Sequence, residues 1–168
     1  MTDRAGEDRP PSRIDAVAEA VALIGGVLLI ALATMVVVSV TLRSDLVGAA
    51  GVPGDFELVQ MATAIAAFCF LPLCQLRRGN IFVDTFTLRL PQRWRDSIDA
   101  LWDGVYGLAM ALIAWRLGVG ARSALASGEN TMVLQLPSYL PIALCAVLAG
   151  FVSLAAFVSA SRLMRQPR

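Results

Sequence analysis

This sequence predicts an all-α integral membrane protein of four transmembrane helices, with a cytoplasmic-side interfacial amphipathic helix between the second and third. Three observations lead there. Hydrophobic residues fill 57% of the 168 positions and charged residues only 16%, against about 25% in a soluble domain. That leaves too little polar surface to coat a globule in water. The apolar residues gather into four runs, each long enough for a hydrocarbon core of about 30 Å. The cations, all of them arginine, cluster on alternate sides of those runs. The chain therefore reads as a single membrane domain over 1–168, with a leader at 1–16, spans near 17–42, 57–76, 98–121 and 139–159, an interfacial segment at 80–91 and a tail at 162–168.

The leader mixes Asp3, Glu7, Asp8 and Asp15 with arginines around Pro10-Pro11, the pattern of a short disordered tail. The uncharged stretch behind it, Ala20 to Leu42, is 23 residues long. That exceeds the roughly 7 to 15 residues of a signal-peptide core, so it reads as an uncleaved anchor, even though Gly48-Ala49-Ala50 offers small residues beyond it. The second span is the uncharged run Leu58 to Leu76, bounded by Glu57 and by the Arg77-Arg78 pair. Pro72 within it predicts a kink one turn from its end. The third span carries Asp99, Asp103 and Arg116 around an apolar middle, Gly104 to Trp115. The fourth begins after Pro137, and Pro141 suits a first helical turn, where a missing N–H costs little.

Between spans two and three, Phe82, Val83, Phe86 and Leu90 recur at helical spacing until Pro91 ends the pattern. An amphipathic helix on the inner leaflet is the favoured reading. Irregular chain packed on protein is the alternative, because Ile81 and Leu88 also permit a strand-like alternation. The leader, the Arg77 to Arg95 connection and the tail hold eleven of the fourteen arginines. The positive-inside rule then puts both termini and the middle connection in the cytoplasm. Trp94 and Trp102 would mark the inner interface, and Trp115 and Tyr139 the outer one.

Composition excludes several chemistries. With no histidine there is no bis-His haem, no His base and no His-ligated metal. With no lysine there is no Walker A loop and no Schiff base. The nearly balanced charge leaves no basic face for nucleic acid. Cys69, Cys74 and Cys145 lack CxxC spacing and lie in apolar runs, where they read as packing residues. No cofactor or metal is expected.

A solute pathway would need polar groups near the midplane, where a bare charge is costly and persists only if used or paired. The span midpoints near Ile30, Ala67, Leu108 and Ala149 carry nothing ionisable, and Thr34, Ser39, Thr63 and Ser153 are the polar side chains deep in spans one, two and four. Such hydroxyls commonly bond a backbone carbonyl one turn back. Asp96, Asp99 and Asp103 form one stripe on the first turns of span three. The preferred reading is structural, as dipole partners paired with Arg77, Arg78, Arg93 or Arg95; the alternative is a proton relay. Glu57, opening span two with Arg43, Arg116 and Arg122 available as counter-ions, is either a cap or dipole partner or one half of a buried intersubunit or interhelix ion pair. Gly104, Gly107, Ala111, Ala114 and Gly118 step along one face of span three, and Ala146 and Gly150 along span four, admitting close helix approach.

The run Arg77-Arg78-Gly79-Asn80-Ile81-Phe82-Val83-Asp84 follows a span opened by Glu57, with Leu90-Pro91, Arg93 and Arg95 beyond it. Together with the later "ENTMVLQLPSYLPIALCAVLAG" run, this resembles the small membrane subunit of tripartite ATP-independent periplasmic (TRAP) transporters, the DctQ-like family. The resemblance extends from the first span to the fourth. The family more often has histidine where Asn80 stands, and a polar or basic residue in place of Phe82. What the resemblance implies is a bacterial inner-membrane transport component, not an enzyme. Its partners would be a large membrane subunit that moves an organic acid with sodium by an elevator-like motion, a periplasmic substrate-binding protein, and membrane lipids. By analogy Glu57, Arg77, Arg78, Gly79 and Asp84 would position helices and head groups, and the small-residue faces would meet the large subunit. Two other readings stand beside it: a self-sufficient dimeric proton-coupled exporter using Asp103 or Glu57, and a membrane scaffold unrelated to transport.

Overall fold

The structure is a computed structural model and describes residues 13–44, 51–77 and 92–164, with the side chains of 92–97 and 163–164 excepted. The expected interfacial helix at 80–91, most of the leader, and Arg78, Gly79 and Asp84 lie outside the described residues. The described chain folds into four helices: α1 (Arg13–Arg43), α2 (Asp55–Leu76), α3 (Gln92–Ser127) and α4 (Tyr139–Met164). All four are long and apolar enough to cross a membrane.

Each span expected from the uncharged runs is present, and the helices outrun them. α3 has 36 residues, about 54 Å at the helical rise, so it exceeds the hydrocarbon thickness and extends beyond or tilts within it. Its added turns, Arg122 to Ser127, lie beyond the expected span, and continuous backbone bonding carries the helix to Gly128, whose φ of +66° ends it. α2 continues through Pro72 to Leu76, and the Arg77 N–H closes it on the Leu73 carbonyl at 3.0 Å. At its start Gly54 adopts φ +72°, a conformation that glycine takes without steric cost.

α1 packs along α2, α2 along α4, and α4 along α3, so the helices stand in the order α1, α2, α4, α3. The seams are narrow and built from small residues. On α1 the buried positions are Ala18, Ala22, Gly25, Leu32 and Ser39, multiples of a heptad seam. A Cβ added at Gly25 would stand 2.7 Å from Cys69 Cβ, so the α1 to α2 approach depends on glycine there. On α3 the buried row is Ala100, Asp103, Gly107, Met110, Ala121 and Ala124, with half-buried Ala114 and Leu117 filling its gap. α4 is the most enclosed helix; Met110, Ala149 and Val152 form a core joined by Phe68, Leu71 and Tyr106. Most large apolar side chains of α1 and α3, Leu23, Ile30, Leu108 and Trp115 among them, point outward. That is the arrangement expected when lipid tails or a membrane partner, not water, surround the chain.

Candidate functional site

The side-chain to side-chain bonds between the helices collect at the two ends of the layer. At the end where α1 and α3 begin, Asp103 lies in the buried row of α3 and is 4% exposed. Gln75 Nε2 donates to its Oδ1 at 2.8 Å, and Ser159 Oγ donates to its Oδ2 at 2.9 Å. One carboxylate thus joins α2, α3 and α4. Around this junction Arg77 pairs with Glu19 at 2.7 Å, and Arg162 pairs with Asp15 at 3.1 Å, tying α1 to α2 and α4 at the same level.

Sequence reasoning placed Asp103 near this end but expected arginine partners; the two donors found are neutral. Asp99 is half-buried one turn earlier and also has an interaction partner. The side chain of Asp96 is outside the described set. Gln75 and Ser159 were not singled out from sequence, although each continues a row of buried residues: Ala66, Cys69, Pro72, Gln75 on α2 and Ala149, Val152, Ala156, Ser159 on α4. A polar residue in register with an apolar seam is the signal that would have found them.

At the opposite end Ser39, fully buried on α1, donates to Asp55 Oδ2 at 2.6 Å and accepts from the Val52 N–H at 3.3 Å. Arg43 reaches the same carboxylate oxygen at 2.8 Å. These bonds fasten the α1 to α2 turn. Glu57 stands in the first turn of α2, where an acid favours the helix dipole, and it also takes a role not expected from sequence. Its carboxylate accepts the backbone N–H groups of Val133 at 2.9 Å and Leu134 at 3.1 Å, in the connection between α3 and α4. The basic partner expected for Glu57 belongs instead to Asp55.

The midspan hydroxyls are engaged as well. Thr34 Oγ1 donates to the Ile30 carbonyl one turn back, as expected, but Ser153 Oγ crosses to α3 and donates to the Gly107 carbonyl at 2.8 Å. Thr63 lies on an exposed face. Among the described residues every buried side-chain nitrogen or oxygen has a hydrogen-bond partner. The small-residue stripe of span three is only partly inside the chain. A Cβ at Gly107 would lie 3.3 Å from Ala156 Cβ, whereas one at Gly104 or Gly118, or at Gly150 of α4, would meet nothing within 4 Å. The packed row shares Gly107 and Ala114 with the stripe but takes Asp103 and Met110 in place of Gly104 and Ala111, which lie half-buried beside it. Cys69 and Cys145 are buried free thiols and Cys74 is half-buried.

Four membrane-length helices whose buried polar side chains, among the described residues, are all partnered are those of a multi-pass membrane protein of the helical type. The profile of one family, described as "Tripartite ATP-independent periplasmic transporters, DctQ component", matches residues 32–166, which take in three whole helices and the end of α1. The chain belongs to this family, the small membrane component of TRAP transporters. In TRAP systems that component works with a large membrane component and a binding protein. Comparison with curated proteins and with solved structures gives no match.

Proposed function

We propose that this chain is a non-catalytic scaffold within its transporter. It steadies a large elevator-type subunit that imports an organic acid, drawing on a sodium gradient and a periplasmic binding protein. The observation that carries the reading is how the polar atoms of the spans are used. Asp103 is consumed by Gln75 and Ser159, Ser153 by a backbone carbonyl, and Ser39 by Asp55. A carrier must offer its cargo or coupling ion exchangeable polar ligands at depth. Here those groups hold helices in place instead.

The same reading assigns the arginine-rich end, with Glu19–Arg77 and Asp15–Arg162, to the cytoplasmic side of a bacterial inner membrane. It assigns the outward faces of Gly104 and Gly118, open in this chain, to the large subunit. The test is reconstitution. The chain is expected to purify with a much larger polytopic protein, and vesicles holding it alone are expected to take up no solute. Adding the large subunit, the binding protein and a sodium gradient should restore uptake. Uptake by vesicles containing this chain alone would return the self-sufficient exporter to first place.

A further inference from the structure

The connection between α3 and α4 is built unlike a loop that lies in water. Asn130 pairs with Pro137 in a short antiparallel bridge, the Thr131 N–H donates to the Leu136 carbonyl at 2.9 Å, and the Leu136 N–H donates to Thr131 Oγ1 at 3.1 Å. The Ser138 N–H closes on the Glu129 carbonyl at 3.0 Å. At the tip, Glu57 takes the N–H groups of Val133 and Leu134, and the Leu134 side chain fills the space left by the missing Cβ of Gly54. Five backbone donors between Thr131 and Ser138 are therefore satisfied internally, two of them by an acid borrowed from another helix.

At the tip two apolar side chains turn outward, with the polar Glu129, Asn130 and Gln135 exposed to either side of them. Met132 is 91% exposed and Val133 59%, and beside them Phe56, the second residue of α2, is 76% exposed. Apolar residues exposed singly are ordinary on a protein surface, but three on a clamped tip and its abutting helix start are a patch. Most backbone donors of the tip are bonded within the chain while Met132 and Val133 face outward, which suits the polar-to-apolar boundary of a membrane better than its hydrocarbon interior.

The depth agrees. α2 has 22 residues, about 33 Å, so it just spans a hydrocarbon core of about 30 Å and its first turn lies at a membrane boundary. The bonds from Glu57 hold Val133 and Leu134 at that same level. Exposed Leu140, Leu144 and Val147 on α4 then provide an apolar belt running from the loop along the membrane-facing length of the chain.

We propose that this hairpin is a lipid-inserting anchor: Met132, Val133 and Phe56 seat in the head-group to acyl-chain boundary of the leaflet at that end, and Glu57 is the clamp that lets the backbone go there. The partner is the lipid surface itself. The assignment is independent of the transported solute and of the scaffold reading.

The test places a photoreactive p-benzoylphenylalanine at Met132 and, separately, at Val133 in the full chain with its partner subunit in native membranes. The same group at Ile30, an exposed residue far from both ends of α1, is the reference for lipid contact. After irradiation, intact-mass measurement is expected to show a phospholipid adduct at position 132 or 133 with a yield within about threefold of that at Ile30. A cross-link to another polypeptide from both positions would make the patch a protein-docking surface and overturn the proposal. So would the lack of any adduct at either position while Ile30 reacts.

Discussion

Asp103 shows how one residue is defined by its neighbours more than by its type. It is buried, and its two carboxylate oxygens accept from Gln75 and Ser159 on two other helices. Replacing it with leucine leaves an amide and a hydroxyl without their acceptor, at about 1–3 kcal/mol for each group left unsatisfied. Asparagine keeps one acceptor oxygen, and the Ser159 hydroxyl can turn to accept the new N–H, so its cost falls to about 1 kcal/mol. Thermal unfolding of the purified complex is therefore expected to rank wild type above Asp103→Asn and Asp103→Asn above Asp103→Leu, with the coupling ion unchanged for Asn. An Asn variant that assembled and melted like wild type while uncoupling transport would make Asp103 a relay. Glu57 makes a related point: an acid at a helix start invites a cap or ion-pair reading, but the chain spends it on the backbone of a loop 76 residues away.

At the scale of the element, the helices differ in what they ask of their small residues. Gly25 touches Cys69, so Gly25→Ala is expected to push α1 off α2 and to destabilise the chain by about 1–3 kcal/mol. A Cβ added at Gly118 would meet nothing within 4 Å, so Gly118→Ala is expected to be neutral, or stabilising by up to about 1 kcal/mol through helix propensity. Thermal melts of both variants check this. A bulkier Gly118→Leu separates the chain's needs from its partner's: it should leave the melting of this chain unchanged and reduce recovery of the large subunit in a pull-down. If recovery stays at the wild-type level, the open glycine face belongs to lipid.

For the whole molecule, ion pairs and loop bonds fix which helix ends share a level. Asp15 with Arg162 and Glu19 with Arg77 gather one end; Arg43 with Asp55 and Glu57 with Val133 gather the other. The proposed orientation, with the arginine-rich end in the cytoplasm, rests on arginine bias. A membrane-impermeant maleimide added to right-side-out cells is therefore expected to label Glu129→Cys and to spare Arg13→Cys until the membrane is permeabilised. The native cysteines are buried or half-buried within α2 and α4, which keeps background low. The reverse labelling pattern would invert the topology.

The number of membrane-length helices and their order were legible in the sequence, because the cost of placing charge in hydrocarbon writes membrane helices as uncharged runs. The boundaries were less so. Arg122, Ser123 and Ser127 lie beyond the expected span at 98–121, yet they are helical, since backbone bonding continues past the apolar run. Likewise the stripe of small residues on span three was legible, but the buried face coincides with only part of it, because packing is chosen by the helix across the seam and not by residue size alone. Hydropathy alone determined that this chain lives in a membrane and crosses it as four helices. Only the tertiary structure decided that α4 lies between α2 and α3, that Asp103 answers to Gln75 and Ser159, and that Glu57 clamps a distant loop. The physical reason is range: transfer free energy is local to each run, whereas a hydrogen bond's partner depends on which helices become neighbours.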